Sequence, residues 1–201
     1  MRIGLDLDNT IACYDRAIAV LAEELLELPK YVHCTKAGLS DYLRREGRES
    51  EWTAFQGELY GPGMRFAQPF EGAINTMVQL ENQGHELMVV SHRSRRPYAG
   101  QQHDLHCFGM KWVNENLRVR GLFNDRTTAI NFLDSQEKKL SRITELECDV
   151  FVDDLPKVLL SIQFPEITTG VLFDPMGCNR KSYSGRAISR WIELIETINS
   201  L

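Results

Sequence analysis

The chain opens on a short apolar run, Ile3-Gly4-Leu5-Asp6-Leu7-Asp8, interrupted by acids at positions 6 and 8. Such a run reads as a buried strand, and residues two apart on an extended chain point to the same side. After Thr10 the apolar positions take a helical period, with Ile11, Tyr14, Ile18, Leu21, Leu25 and Leu28 in register until Pro29 stops them. Two shorter helices are predicted next. Residues 41–46 follow Ser40 as an N-cap and end at Gly47, and residues 51–60 follow Ser50 and end at Gly61-Pro62-Gly63. No strand pattern occurs between residues 13 and 68, so that segment is expected to be a small all-helical insertion.

From Pro69 the pattern becomes a regular alternation of helices and strands, the signature of parallel βαβ units. A helix over 72–83 carries Ile74, Met77, Val78 and Leu80, with Gly84 behind it, and a second strand, Leu87 to Val90, runs into Ser91-His92-Arg93-Ser94. A helix over 101–116 follows, then a third strand at 129–133, for which Leu122-Phe123 competes. Ser135 caps a helix over 136–146, and a fourth strand at 150–152 ends in Asp153-Asp154. A short helix over 155–162, a fifth strand at 170–173 and a terminal helix over 186–198, with Ile188, Trp191, Ile195 and Ile198 on one side, complete the pattern. The expectation is an α/β fold, a doubly wound parallel five-stranded sheet formed by residues 1–12 and 69–201, with residues 13–68 as a helical accessory domain.

Composition narrows the function classes. The 201 residues are 43% hydrophobic and 25% charged, ordinary for a globular protein. A net charge of −5 gives no support to binding a nucleic-acid polymer, which rests on clustered Lys and Arg. No apolar run approaches the roughly 20 residues of a membrane span, and the chain begins directly on a strand pattern; a cytoplasmic protein without a membrane partner is expected. The five cysteines lack Cys-x-x-Cys spacing and read as reduced structural thiols.

Burying two carboxylates together is unfavourable unless a cation or protons compensate. A hard, oxygen-liganded metal ion such as Mg²⁺ is the chemical answer, against the plainer alternative of an Asp-rich turn after a strand. Three strands, the first, second and fourth, end in polar residues, and in an open parallel sheet the binding crevice lies at the carboxyl ends of the strands. Asp6-Leu7-Asp8-Asn9-Thr10 resembles the first motif of the haloacid dehalogenase superfamily. Ser91 resembles the second motif, a lysine at the start of the helix before the fourth strand the third, and Asp153-Asp154 the paired-acid form of the fourth.

That resemblance implies a sheet order of 3-2-1-4-5 and a Mg²⁺-dependent phosphatase acting on a small phosphorylated molecule. It makes Asp6 the nucleophile that becomes an aspartyl-phosphate and Asp8 the general acid and base. Thr10, Ser91, His92 and Lys139 would hold the phosphate. Mg²⁺ would sit on Asp6, the Asp8 carbonyl and one or both of Asp153 and Asp154, with Asp154 the direct ligand and Asp153 bridging through water or orienting the lysine. Lys138 competes for the lysine role, but Lys139 keeps Leu140, Ile143 and Leu146 in better register. A dehalogenase does not need the second acid, so Asp8 favours phosphate chemistry.

The helical insertion occupies the place of a C1-type cap, as it does in deoxyribonucleotidases, and Trp52, Phe55 and Leu59 read as its own core. Arg93, Tyr98 and Tyr60 are candidates for substrate contact, against the alternative of solvated loop side chains. His103 and His106, at i and i+3, read as surface histidines rather than metal ligands. Competing with hydrolysis are phosphotransfer to a sugar hydroxyl and a catalytically silent binding module.

Overall fold

The computed structural model describes residues 1–123 and 129–201. The chain divides into two compact units. The first comprises Met1–Ala12, Pro69–Arg93 and Leu117–Leu201, and the second Cys13–Gln68 and Ser94–Asn116. Ser94–Asn116 belongs to the helical unit, although the sequence pattern assigned it to the α/β part.

The first unit is built on six parallel strands: β1 (Arg2–Leu5), β4 (Glu86–His92), β5 (Ile130–Leu133), β6 (Val150–Asp153), β7 (Thr169–Phe173) and β8 (Arg186–Ile188). Their order is β5-β4-β1-β6-β7-β8. The doubly wound order expected for the first five strands is therefore present, with β8 added at one edge. Leu5 stands opposite Val89 on one side and Val152 on the other, so the chain leaving β1 emerges at the middle of the sheet. Residues 186–188 pair with Val171, Leu172 and Phe173 and are strand, which corrects the terminal helix predicted from position 186. The helix α8 covers Glu193–Asn199 only.

Strands covered on both faces are apolar throughout, and alternation sorts their residues between the faces. Met88, Val90, Phe151 and Leu172 join Leu140 and Ile143 of α6 (Gln136–Glu145) and Val158 and Leu159 of α7 (Pro156–Leu159) in one buried cluster. Their neighbours Val89, Val152 and Phe173 are buried as well. Phe173 packs against Trp191 just before α8 and against Phe70, which precedes α4 (Ala73–Asn82). Gly4 sits where a Cβ would come within 2.5 Å of the Phe151 ring, so that close approach requires glycine.

The second unit holds α1 (Asp15–Leu25), α2 (Lys36–Arg45), α3 (Glu49–Tyr60), a 3₁₀ turn at Pro62–Phe66 and α5 (Leu105–Asn116). The side chain of Thr35, not Ser40, caps α2 by accepting from the Gly38 amide, which moves that helix five residues earlier than predicted. The helix α1 begins at Asp15 rather than directly after Thr10, because β2 (Ala12–Cys13) intervenes. This strand pairs with β3 (Gln68–Pro69) in a two-stranded ribbon, a pairing too short to register as alternation. Trp52 and Phe55 are buried and stacked at 5.9 Å between ring centroids, with Leu59 fully buried on the same helix. The Arg95–Gln102 segment lies on α3, where Gly57 admits Pro97 and Ala54 contacts Gly100, a glycine held at φ +80°. Among the described residues, no helix is long and apolar enough to cross a membrane.

Candidate active site

The loop after β1 is folded by its own backbone. Ile11 and Ala12 both donate to the Leu7 carbonyl, Asn9 donates to Ala12, and Asn9 takes φ 61°. Asparagine is one of the few residues that tolerate that left-handed conformation, so Asn9 permits the tight reversal that follows Asp8. The indole N–H of Trp191 donates to the Thr10 carbonyl at 3.1 Å and ties the loop to the chain ahead of α8.

Asp6 is buried beyond the end of β1, its amide donating to Val152. Lys139 lies in the first turn of α6, whose N-cap Ser135 accepts from the Lys138 amide. That start directs the Lys139 side chain inward, 2% exposed, and its ammonium donates to Asp6 Oδ1 and Asp153 Oδ2 at 2.6 Å each. Lys138 faces outward and pairs with Asp134 at 3.6 Å. The choice between the two lysines is thus decided by burial and contact.

Asp153 accepts from Lys139 with one oxygen and from the Leu155 amide with the other, at 2.9 Å. Both oxygens being engaged within a fully buried side chain, Asp153 anchors the lysine, the orienting role expected of it beside Asp154. Asp154 is partly exposed at the carboxyl end of β6.

Burial pushes the Asp6 carboxyl up to about 7; Lys139 pulls it back, while the charges of Asp153 and Asp8 raise it further. Burial alone would lower the Lys139 pKa, yet Asp153 and Asp6 outweigh that and hold the ammonium firmly charged. Two further atoms complete the pattern: the Thr10 Oγ1 and Ser91 Oγ hydroxyls are buried without any hydrogen-bond partner. Leaving a buried hydroxyl unsatisfied costs about 1–3 kcal/mol, so Thr10, in the loop after β1, and Ser91, near the end of β4, each have a donor available to a polar ligand.

Arg93 is 3% exposed, and its guanidinium donates to Asp8 Oδ1. The sequence made Arg93 a substrate contact; the structure directs it onto the second acid. Asp174 was missed. It is buried after β7 and accepts from the Cys178 and Asn179 amides at 3.0 and 2.8 Å, folding the loop there. An acid directly after an apolar strand, as at Asp6 and Asp153, was its sequence signal.

The remaining candidates are more exposed or lie in the helical unit. His92 is exposed at the end of β4. Tyr98 is 82% exposed, and Tyr60 stacks edge-on with Tyr14 at 5.2 Å. His103 precedes α5 instead of sharing a helix face with His106, and its Nε2 lies 3.0 Å from Glu58 Oε1.

Among the described residues, no group of three or more His, Cys, Asp and Glu side chains is assembled as a metal cage. The groups that could hold a metal are the Asp6 and Asp154 carboxylates and the Asp8 carbonyl, hard oxygens of the kind Mg²⁺ takes.

The sequence alone matches no protein-family model and no curated protein. Solved structures are similar over nearly the whole chain. The HAD-hydrolase YfnB from Bacillus subtilis, solved bound to magnesium, superimposes with TM-score 0.63 at 16% identity, covering 98% of both chains. A predicted phosphatase from Clostridium acetobutylicum gives TM-score 0.67 at 11% identity, covering 100% of this chain and 98% of that one. A HAD family hydrolase from Deinococcus radiodurans R1, with bound phosphate and sodium, gives TM-score 0.56 at 17% identity over 99% and 95%. The chain therefore has the haloacid dehalogenase-like fold, a parallel α/β sheet with a helical companion unit.

Proposed function

We propose that the protein is a Mg²⁺-dependent phosphatase that hydrolyses a small phosphomonoester through an aspartyl-phosphate on Asp6. The observation that carries this reading is the pairing of a lysine-held buried carboxylate with two unsatisfied buried hydroxyls, Thr10 and Ser91. A phosphoryl group has acceptor oxygens for both hydroxyls and an electrophilic centre for the carboxylate. The bound phosphate of the Deinococcus hydrolase and the magnesium of YfnB are consistent with it.

Asp6 attacks phosphorus as the ester P–O bond breaks, and Asp8 gives its proton to the departing alkoxide. Water then attacks the phosphorus of the aspartyl-phosphate, Asp8 takes the proton of that water, and Asp6 is released with inorganic phosphate. Lys139 keeps Asp6 oriented and favours its ionised form, and Asp153 holds Lys139 in place. Thr10 and Ser91 donate to the phosphoryl oxygens. Mg²⁺, held by Asp6, the Asp8 carbonyl and Asp154, would neutralise charge that develops on those oxygens. The helical unit, entered after Ala12 and again after Arg93, would act as the cap that selects substrate, with Tyr60 and Tyr98 as its candidate contacts.

The test is inorganic phosphate release from nucleotides, sugar phosphates and phospho-acids, with Mg²⁺ and with chelator, for wild type and Asp6→Asn. Metal-dependent release abolished in the variant is expected. Turnover that survives both chelation and the substitution would sink the mechanism.

A further inference from the structure

We infer that Arg93 is the positioning residue of the general acid, holding the Asp8 carboxylate in its working direction rather than binding substrate. The inference rests on the phosphatase reading of Asp8 and extends it to a residue that none of the four motifs includes.

The geometry supports it at each level. The Arg93 side chain is 2% exposed and that of Asp8 16%, and one guanidinium nitrogen of Arg93 donates to Asp8 Oδ1. The Arg93 backbone is fixed by its amide, which donates to Leu133 at 2.8 Å and so continues the β4–β5 ladder past the strand end. Its guanidinium carbon also lies 5.7 Å from the centre of the Phe132 ring, a cation–π contact on the neighbouring strand. Backbone, ring and carboxylate together give Arg93 one position, and Asp8 inherits it.

The requirement is electrostatic. Asp8 lies in the loop that also carries Asp6, and the Lys139 ammonium is shared by Asp6 and by Asp153 at the end of β6. Arg93 engages Asp8 Oδ1 and so sets the direction of the carboxyl, whose other oxygen then carries the proton delivered to the leaving group. A planar guanidinium supplies both the charge and a fixed direction, which an ammonium does not. With its guanidinium engaged by Asp8 and lying over the Phe132 ring, the influence of Arg93 on the reaction passes through Asp8.

Leaving-group dependence tests this. A general acid matters for an alkyl ester, whose alkoxide must be protonated, and little for 2,4-dinitrophenyl phosphate, whose leaving group departs unaided. Arg93→Ala should lower kcat for an alkyl phosphate roughly 10²–10³-fold and for the dinitrophenyl ester less than about 10-fold, with KM nearly unchanged for both. In an Asp8→Asn background the same substitution should add no more than about 3-fold, because its route of action is gone. Arg93→Lys, which keeps charge and bulk if the alanine variant folds poorly, should be intermediate and show the same leaving-group bias.

Equal losses on both esters, a loss that persists undiminished in Asp8→Asn, or a rise in KM with kcat intact would overturn the inference while leaving the phosphatase reading standing. Absence of wild-type hydrolysis of either ester would remove both.

Discussion

Replacing Lys139 by methionine keeps the apolar stem and deletes one buried charge. The ammonium donates at 2.6 Å to Asp6 and to Asp153, and its own side chain is 2% exposed and that of Asp153 fully buried. Removing one partner of a buried ion pair costs roughly 3–5 kcal/mol.

For a chain of this length that corresponds to a fall in Tm of roughly 6–20 °C. The pH dependence follows from Asp6. Its carboxyl is raised to about 7 by burial and pulled back by Lys139, so removing the ammonium raises it further. A carboxyl raised in the folded state contributes stability that is lost as pH climbs, so the variant should fall further behind the wild type toward alkaline pH. Urea melts of wild type and Lys139→Met at pH 5 and pH 8, without added metal, supply the comparison. A gap that does not widen from pH 5 to pH 8, or one under about 1 kcal/mol at pH 8, would refute the reasoning.

Ser91→Ala removes a buried hydroxyl that has no partner in the protein, so stability should be unchanged or higher by about 1 kcal/mol, while phosphate release falls roughly 10²-fold. A loss of stability of that size would mean the hydroxyl is satisfied within the fold. Gly4→Ala places a Cβ 2.5 Å from the Phe151 ring and 3.0 Å from the Cys148 sulfur, and should destabilise by about 1–3 kcal/mol in denaturant melts. A neutral outcome would show that the β1–β6 pair yields without loss.

The chemistry-bearing residues could be located in the sequence because each is marked by its immediate neighbours. Asp6, Ser91 and Asp153 follow apolar strand cores, and Lys139 follows a serine cap. Alternation and capping are local physics, so they survive without knowledge of what packs where. The order of the first five strands came from the family resemblance that those marks supported. Where local pattern misled, a tertiary contact decided. Ile188, Trp191, Ile195 and Ile198 suit one face of a helix, yet Arg186–Ile188 is an edge strand because the open side of β7 offers backbone partners.

The same holds within the site. No spacing rule connects Arg93 to Asp8 or Lys139 to Asp6, 85 and 133 residues apart in the chain. Ser94–Asn116 likewise reads as a crossover of the sheet, and only its packing on α3, where Gly57 and Ala54 leave room, places it in the helical unit. The sequence by itself determined the five core strands and the polar groups that follow three of them, because those depend on residues a few positions apart. Which acid is held by which cation was decided by the tertiary structure, since burial and charge pairing join residues that the chain keeps far apart.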